Sequence, residues 1–262
     1  MRFKTLILGI LVIFSPLFAA PDEVPDDSLT ITPGRPTFSM TPLAVPKGKF
    51  ILEMGYTFQR VEGVSQNVIG EVLLRYGLMN NLEFRLIGNS YMVELVSGSR
   101  LAEGFQDPGI GLKYTLRRSS YREFNLLDPS IGIHLFSTIP VGDEVYTSGR
   151  FQPGAMLTFE FPLSGSTNLV VEGVYLKQYI NEEPTSEKDF AMHINTAFSG
   201  AVGAFVEYYR LIPEQSPIIH QYVQGGVVFT FNRMATLDFR LGTGLGASMG
   251  DFLFGAGGAI MF

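Results

Sequence analysis

From residue 49 onward, apolar and polar positions alternate with a period of two, the repeat of a strand whose two faces meet different surroundings. In KFILEMGYTFQR, Phe50, Leu52, Met54, Tyr56 and Phe58 share one face, and Glu53, Gly55, Thr57 and Gln59 share the other with Ile51. NVIGEVLLRYGL sets Val68, Val72, Leu74 and Tyr76 against Glu71 and Arg75, and NLEFRLIGNS sets Leu82, Phe84 and Leu86 against Glu83, Arg85 and Asn89. GIGLKYTLR, SIGIHLFST, GAMLTFEF and TLDFRLG repeat the pattern, with Leu112 on an apolar face and Thr115 opposite. It is noisier in NLVVEGVYL, apolar on both faces around Glu172, and Phe136 and Phe205 fall on the polar side of their strands. The alternation predicts twelve strands, beginning near residues 49, 67, 81, 108, 129, 152, 168, 188, 201, 219, 235 and 251.

The connections have a parity. GLMNN, PLSGSTN, FSG and NRMA are short, whereas YMVELVSGSRLAEGFQD, PVGDEVYTSGR and NEEPTSEKD read as long polar loops on the opposite side. The second short-side connection, RRSSYREFNLL, and the short first and last outer loops depart from the pattern. An even strand number with short turns alternating with longer loops is the layout of a transmembrane β-barrel. The expected fold is therefore all-β: an antiparallel up-and-down barrel of about 12 strands over residues 48–262. Its last stretch, GDFLFGAGGAIMF, alternates up to Phe262. Such a strand closes against the first and leaves no edge unpaired in lipid.

The front of the chain adds a destination. MRFKTLILGILVIFSPLFAA has two cations, an apolar run about half as long as a membrane span needs, and small residues at Ala19 and Ala20. It reads as a cleaved signal peptide over residues 1–20. Residues 21–47, rich in Pro and Asp, read as an extended periplasmic segment preceding the first strand. Folded back into the lumen, it would meet Glu53, Arg75, Glu83 and Arg85, with Asp22, Glu23, Asp26, Asp27 and Arg35 as partners of both signs. The 22 Phe, 11 Tyr and 29 Gly against 17% charged residues suit a barrel of the bacterial outer membrane in a diderm cell. Without its signal the formal charge falls from -6 to -8, which argues against nucleic acid as a partner. There is no Cys, which removes disulfides, haem attachment and thiolate metal sites.

GRPTFSMTPLAVPKGKFILEMGYTFQR, with LLRYGLMNNLEFRL, GFQDPGIGLKYTL, AFVEYY and LDFRLGTGL in that order, resembles the outer-membrane family named for a role in the meta pathway of phenol degradation. The resemblance runs over essentially the whole mature chain. It implies an outer-membrane barrel of transporter type for aromatic or other small hydrophobic compounds. It implies no catalytic residues, and a closing Phe262 resembles the signal read by the outer-membrane insertion machinery.

The polar face carries the candidate lumen: Glu53, Glu71, Arg75, Glu83, Arg85, Lys113, Glu160, Glu172, Asp238 and Arg240. These charges suit either a constriction that selects permeants or a salt-bridged filling, since barrels run from filled at ~8 strands to open at ~16. Catalysis is disfavoured. His134 and Ser137 are three apart on one strand and so face opposite sides, and no H-E-x-x-H motif occurs. GTGLGASMG lacks the third glycine of a dinucleotide loop and fits a hairpin. The reading is a channel for small aromatic or hydrophobic solutes, with membrane lipids as surroundings, an unidentified permeant and no cofactor. The alternatives are a lipase-like barrel enzyme, a filled structural barrel, and a secreted soluble barrel that binds a ligand.

Overall fold

The computed structural model describes residues 30–120, 125–180 and 183–262. The expected signal peptide and residues 21–29 lie outside them. Fifteen hydrogen-bonded segments form one antiparallel sheet: β1 (Phe50–Val61), β2 (Val64–Ile69), β3 (Leu73–Met79), β4 (Leu82–Ile87), β5 (Tyr91–Val96), β6 (Ser99–Phe105), β7 (Gly109–Arg117), β8 (Ser130–Thr138), β9 (Pro153–Ser164), β10 (Thr167–Ile180), β11 (Glu183–Ala197), β12 (Val202–Pro213), β13 (His220–Asn232), β14 (Ala235–Leu245) and β15 (Phe252–Met261). The pairs β2/β3, β4/β5 and β6/β7 are each one strand of the wall, interrupted once, so the barrel has twelve wall strands.

The barrel closes where the sequence requires. β15 pairs with β1 from Ile51↔Met261 to Arg60↔Phe252. Phe50 and Phe262 then exchange both backbone hydrogen bonds, at 3.2 and 2.8 Å, so the last residue completes the seam.

The interruptions fall side by side, at residues 70–72, 88–90 and 106–108. Single bonds carry the ladder across them: Glu71 N–H to Gly55 C=O, Gly88 N–H to Val72 C=O, and Gln106 N–H to Ser90 C=O. Below this row β3, β4 and β7 pair with one another; above it β2, β5 and β6 do.

The two faces follow the alternation. Leu112, Leu135, Val206 and Phe239 are exposed, whereas Glu53, Arg75, Glu83, Glu172 and Glu207 are fully buried. A soluble protein would show the reverse. Apolar surface outward and ionised groups inward is a barrel stabilised by lipid on its outside.

Two of the expected long loops are strands. YMVELVSGSRLAEGFQD forms the β5–β6 hairpin, turning at Ser97 and Gly98, both with positive φ (51° and 80°). NEEPTSEKD mostly belongs to β11, which begins at Glu183 rather than near residue 188. The reason is physical: β10 has 14 residues, more than the roughly 9–11 that cross the hydrocarbon core. Beyond the lipid neither face must be apolar, so the strand continues while its alternation vanishes. PVGDEVYTSGR remains a loop, folded back so that Asp143 accepts the Phe105 N–H at 2.7 Å.

Candidate functional site

Residues 31–47 run inside the barrel. The segment begins at the end with the short turns, where Ile31 N–H donates to Arg233 C=O. It climbs past Glu53 to Phe38, which stacks on Tyr209 with ring centroids 4.7 Å apart. It then descends past Glu172, Thr115 and Glu83 and leaves at Lys47, bridged to Gly77 at the same rim.

A proline-rich segment without a ladder cannot pair its own N–H groups, and buried away from water each needs an acceptor. The wall supplies carboxylates. Glu53 accepts from Gly34 (2.8 Å) and Arg35 (3.0 Å), Glu207 from Phe38 (2.7 Å) and Ser39 (2.8 Å), Glu172 from Met40 (3.3 Å), and Glu83 from Val45 (2.8 Å). The Thr115 hydroxyl accepts from Ala44 at 2.8 Å and donates to Pro42 C=O. Arg35 lies over Gly55 and Gly257, directly paired across the closing seam. A Cβ on either would come within 2.2–2.4 Å of its guanidinium, so the glycine pair makes its slot.

The ten sequence-selected residues separate into groups. Arg75 forms a two-pronged contact to Glu83 (2.7 and 3.0 Å) and a third to Glu53 (3.0 Å). Glu83 also faces Lys113 at 3.6 Å and Arg85 at 3.5 Å. Glu71, tied through its N–H to Gly55 C=O at the first interruption, reaches Arg35 at 2.7 Å and Arg240 at 3.9 Å. Asp238 faces Arg35 at 3.6 Å, and Arg240 donates to Pro36 C=O and Thr57. Glu172 accepts from Thr158, and Glu160 from Thr41. Phe262 stands apart at the rim, its side chain exposed.

Glu207, absent from that set, sits at the centre of the contacts with the segment, with Gln224 beside it. The Gln224 amide donates to Glu207, and so does the Ser39 hydroxyl. The parity of VGAFVEYYRL would have placed Glu207 inward, but Phe205 and Tyr209 on the same face disguise that side as apolar.

Ser39 also meets His193, its Oγ 2.7 Å from Nδ1, with Asn195 3.1 Å from Nε2. The trio has the residue types of a hydrolase. However, Ser39 is fully buried and its proton goes to Glu207, so the oxygen is committed to a structural tie. His134 and Ser137 point to opposite sides, as their spacing requires.

Among the described residues, two cavities have residues of the segment in their walls. One, of about 360 Å³, opens on the half away from the short turns, lined by Phe38, Tyr209, Leu211, Tyr222, Gln224 and Leu253. Phe38, Tyr209 and Tyr222 stack in a row there, the second pair at 5.1 Å. The other, of about 430 Å³, lies beside the first two interruptions, with Val72, Ile87, Ser90, Arg85 and Phe136 in its wall. The two cavities share Phe38 and Arg240 as boundary.

A closed twelve-strand wall with lipid-type exterior and charged interior defines a transmembrane β-barrel of the outer-membrane kind. The chain belongs to the family described as "Putative MetA-pathway of phenol degradation", matching it over residues 33–262. It is similar in fold to an outer membrane channel from Pseudomonas putida F1, with a TM-score of 0.65 and 13% identity over 87% of this chain and 99% of that one. The NanC porin aligns with a TM-score of 0.57 and 5% identity over 80% of this chain and 98% of its own. The KdgM porin, solved in complex with disordered oligogalacturonate, aligns at 0.54 with 9% identity over 81% of this chain and 99% of its own. Among curated proteins, none matches the sequence.

Proposed function

We propose that this barrel is a channel of the bacterial outer membrane, exported by the N-terminal signal, through which small aromatic or other apolar solutes pass passively. The observation that carries this reading is the aromatic row Phe38–Tyr209–Tyr222 along the 360 Å³ cavity. The ring edges and the end faces of this row, with polar Gln224 close by, offer a ring-bearing solute an apolar wall. The chamber is also bounded by a residue of the internal segment, Phe38, which makes residues 31–47 the gate of the passage. They are tied mainly by hydrogen bonds to wall carboxylates, contacts that water and ions can replace one by one.

The test is electrical. The full-length protein and one lacking residues 31–45 are reconstituted in planar bilayers. Deletion is expected to raise single-channel conductance, and liposomes carrying it are expected to take up phenol faster than acetate-sized polar solutes. Equal conductance with and without the segment, at high and low salt, removes the gate. No conductance and no uptake by either protein removes the channel.

A further inference from the structure

The second cavity contains a buried cation with too little to bind. Arg85 is 3% exposed. Among the described residues its hydrogen-bond partner is the Met40 thioether, a weak acceptor. The carboxylate nearest to it, Glu83, stands 3.5 Å from Nε without a hydrogen bond, and Nε has no partner. Glu83 is already held by the two-pronged Arg75 contact and by Lys113. Glu53 and Glu172 act on Arg85 only through space.

Arg35, Arg85 and Arg240 line the cavity with Glu53 and Glu71. Arg35 and Arg240 are engaged with Glu71, Arg35 also faces Asp238, and Glu53 is held by Arg75. Of the three lining guanidiniums, Arg85 is therefore the one with the weakest hydrogen-bond partner. A buried guanidinium presenting its fork to a cavity matches a carboxylate in shape and charge.

The remainder of the wall is mostly apolar and partly aromatic, with Thr37, Ser90 and His134 as polar members. Phe136, the aromatic that broke the alternation of its strand, points into this space and stacks on His134 with centroids 5.2 Å apart. Gly154 opposite leaves room for that ring, since a Cβ there would sit 2.3 Å from it. Ile87, Met40 and Met156 add further apolar surface. At about 430 Å³ the cavity falls within the roughly 300–1,000 Å³ usual for small-molecule sites.

We infer that this cavity is a binding site for a small monocarboxylate with an aromatic ring, its carboxylate on Arg85 and its ring against Phe136. The inference assigns a solute class to the passage proposed above and rests on that reading for its purpose. The binding itself is measurable without current.

The experiment titrates benzoate, benzyl alcohol and acetate into the full-length folded barrel in detergent, following heat. Benzoate carries both ring and charge, benzyl alcohol the ring alone, and acetate the charge alone. Benzoate is expected to bind tightest. Arg85→Gln is expected to weaken benzoate by roughly 10- to 100-fold, the loss for a charged hydrogen-bonding partner, and to leave benzyl alcohol unchanged. Phe136→Leu is expected to weaken benzoate and spare acetate. Benzoate binding no tighter than benzyl alcohol, or unaltered by Arg85→Gln, overturns the site. Should Arg85→Gln not yield a heat-modifiable barrel, the three-ligand comparison on wild type and Phe136→Leu decides it. Benzoate binding in a barrel that conducts nothing upholds the site and removes the passage.

Discussion

Ser39 and Glu207, 168 positions apart in the chain, meet inside the barrel through two contacts to one carboxylate oxygen. The backbone N–H and the hydroxyl of Ser39 both donate to Glu207 Oε1. Phe38 and Gln224 donate to the other oxygen. A buried carboxylate with four donors is fully satisfied, and so are the two amides of a segment that has no ladder of its own.

Removing that acceptor should loosen the apex of the segment first. Glu207→Ala leaves the Phe38 and Ser39 amides without partners, at a cost of about 1–3 kcal/mol each. The barrel should still migrate as a folded species in unheated electrophoresis, since no ladder bond is lost. Its bilayer conductance should rise towards that of the protein lacking residues 31–45. A conductance equal to wild type would show that Glu207 does not hold the gate.

The two faces of β7 give a second test. Leu112→Arg puts a charge on the lipid side and should destabilise the barrel by ~2–4 kcal/mol near the midplane, read by urea-dependent unfolding in vesicles. Thr115→Arg lies on the buried side and touches Pro42 and Ala44. It should leave the wall nearly as stable as wild type while displacing the segment. The opposite ranking would mean that the barrel faces are reversed.

A third test uses space instead of charge. A Cβ at Gly132 would lie 2.5 Å from Pro42 C=O, against backbone that cannot swing aside like a flexible side chain. Gly132→Val should therefore expel the descending arm, detected as faster protease cleavage between residues 36 and 46. Cleavage at the wild-type rate would count against a packed descending arm.

Phe262 separates assembly from stability. Its backbone completes the seam with Phe50 while its ring is exposed at the rim. Phe262→Asp keeps the backbone and should cost only ~0–1 kcal/mol at the interface. We expect a larger drop in barrel assembled in cells than in barrel refolded from urea. Equal yields by both routes would remove Phe262 as an assembly signal.

Most of the wall was legible because lipid imposes a rule on every strand that crosses it. Phe50 to Phe58 or Ile110 to Leu116 announce a face, and closure of the last strand on the first follows from the even strand number, while the Phe50–Phe262 register does not. Legibility stopped where lipid stops. In the β5–β6 hairpin Arg100 and Glu103 face water and Glu94 is held by Gln66 of β2, so no apolar face marks the strands although the ladder continues. The charged lumen was visible as a set, and Arg75 and Glu83 stand on neighbouring strands where opposite charges pair across the ladder. Glu71 meets Arg35 only through the segment. The path of the segment left the weakest trace. It is bound largely through backbone N–H groups, which every residue but proline carries, so its composition says nothing about where it docks.

The segment crosses one rim twice, inward near Ile31 and outward at Lys47. Among the described residues it therefore enters and leaves by the same end of the barrel, as a folded cord dipped into a closed cylinder. Such a cord can go in after β15 has sealed against β1, and it can come out without reopening that seam. Order of assembly is free in a way it would not be for a strand threaded end to end. Withdrawal is reversible for the same reason, because Lys47 remains joined to β1 and keeps the cord at the opening it left.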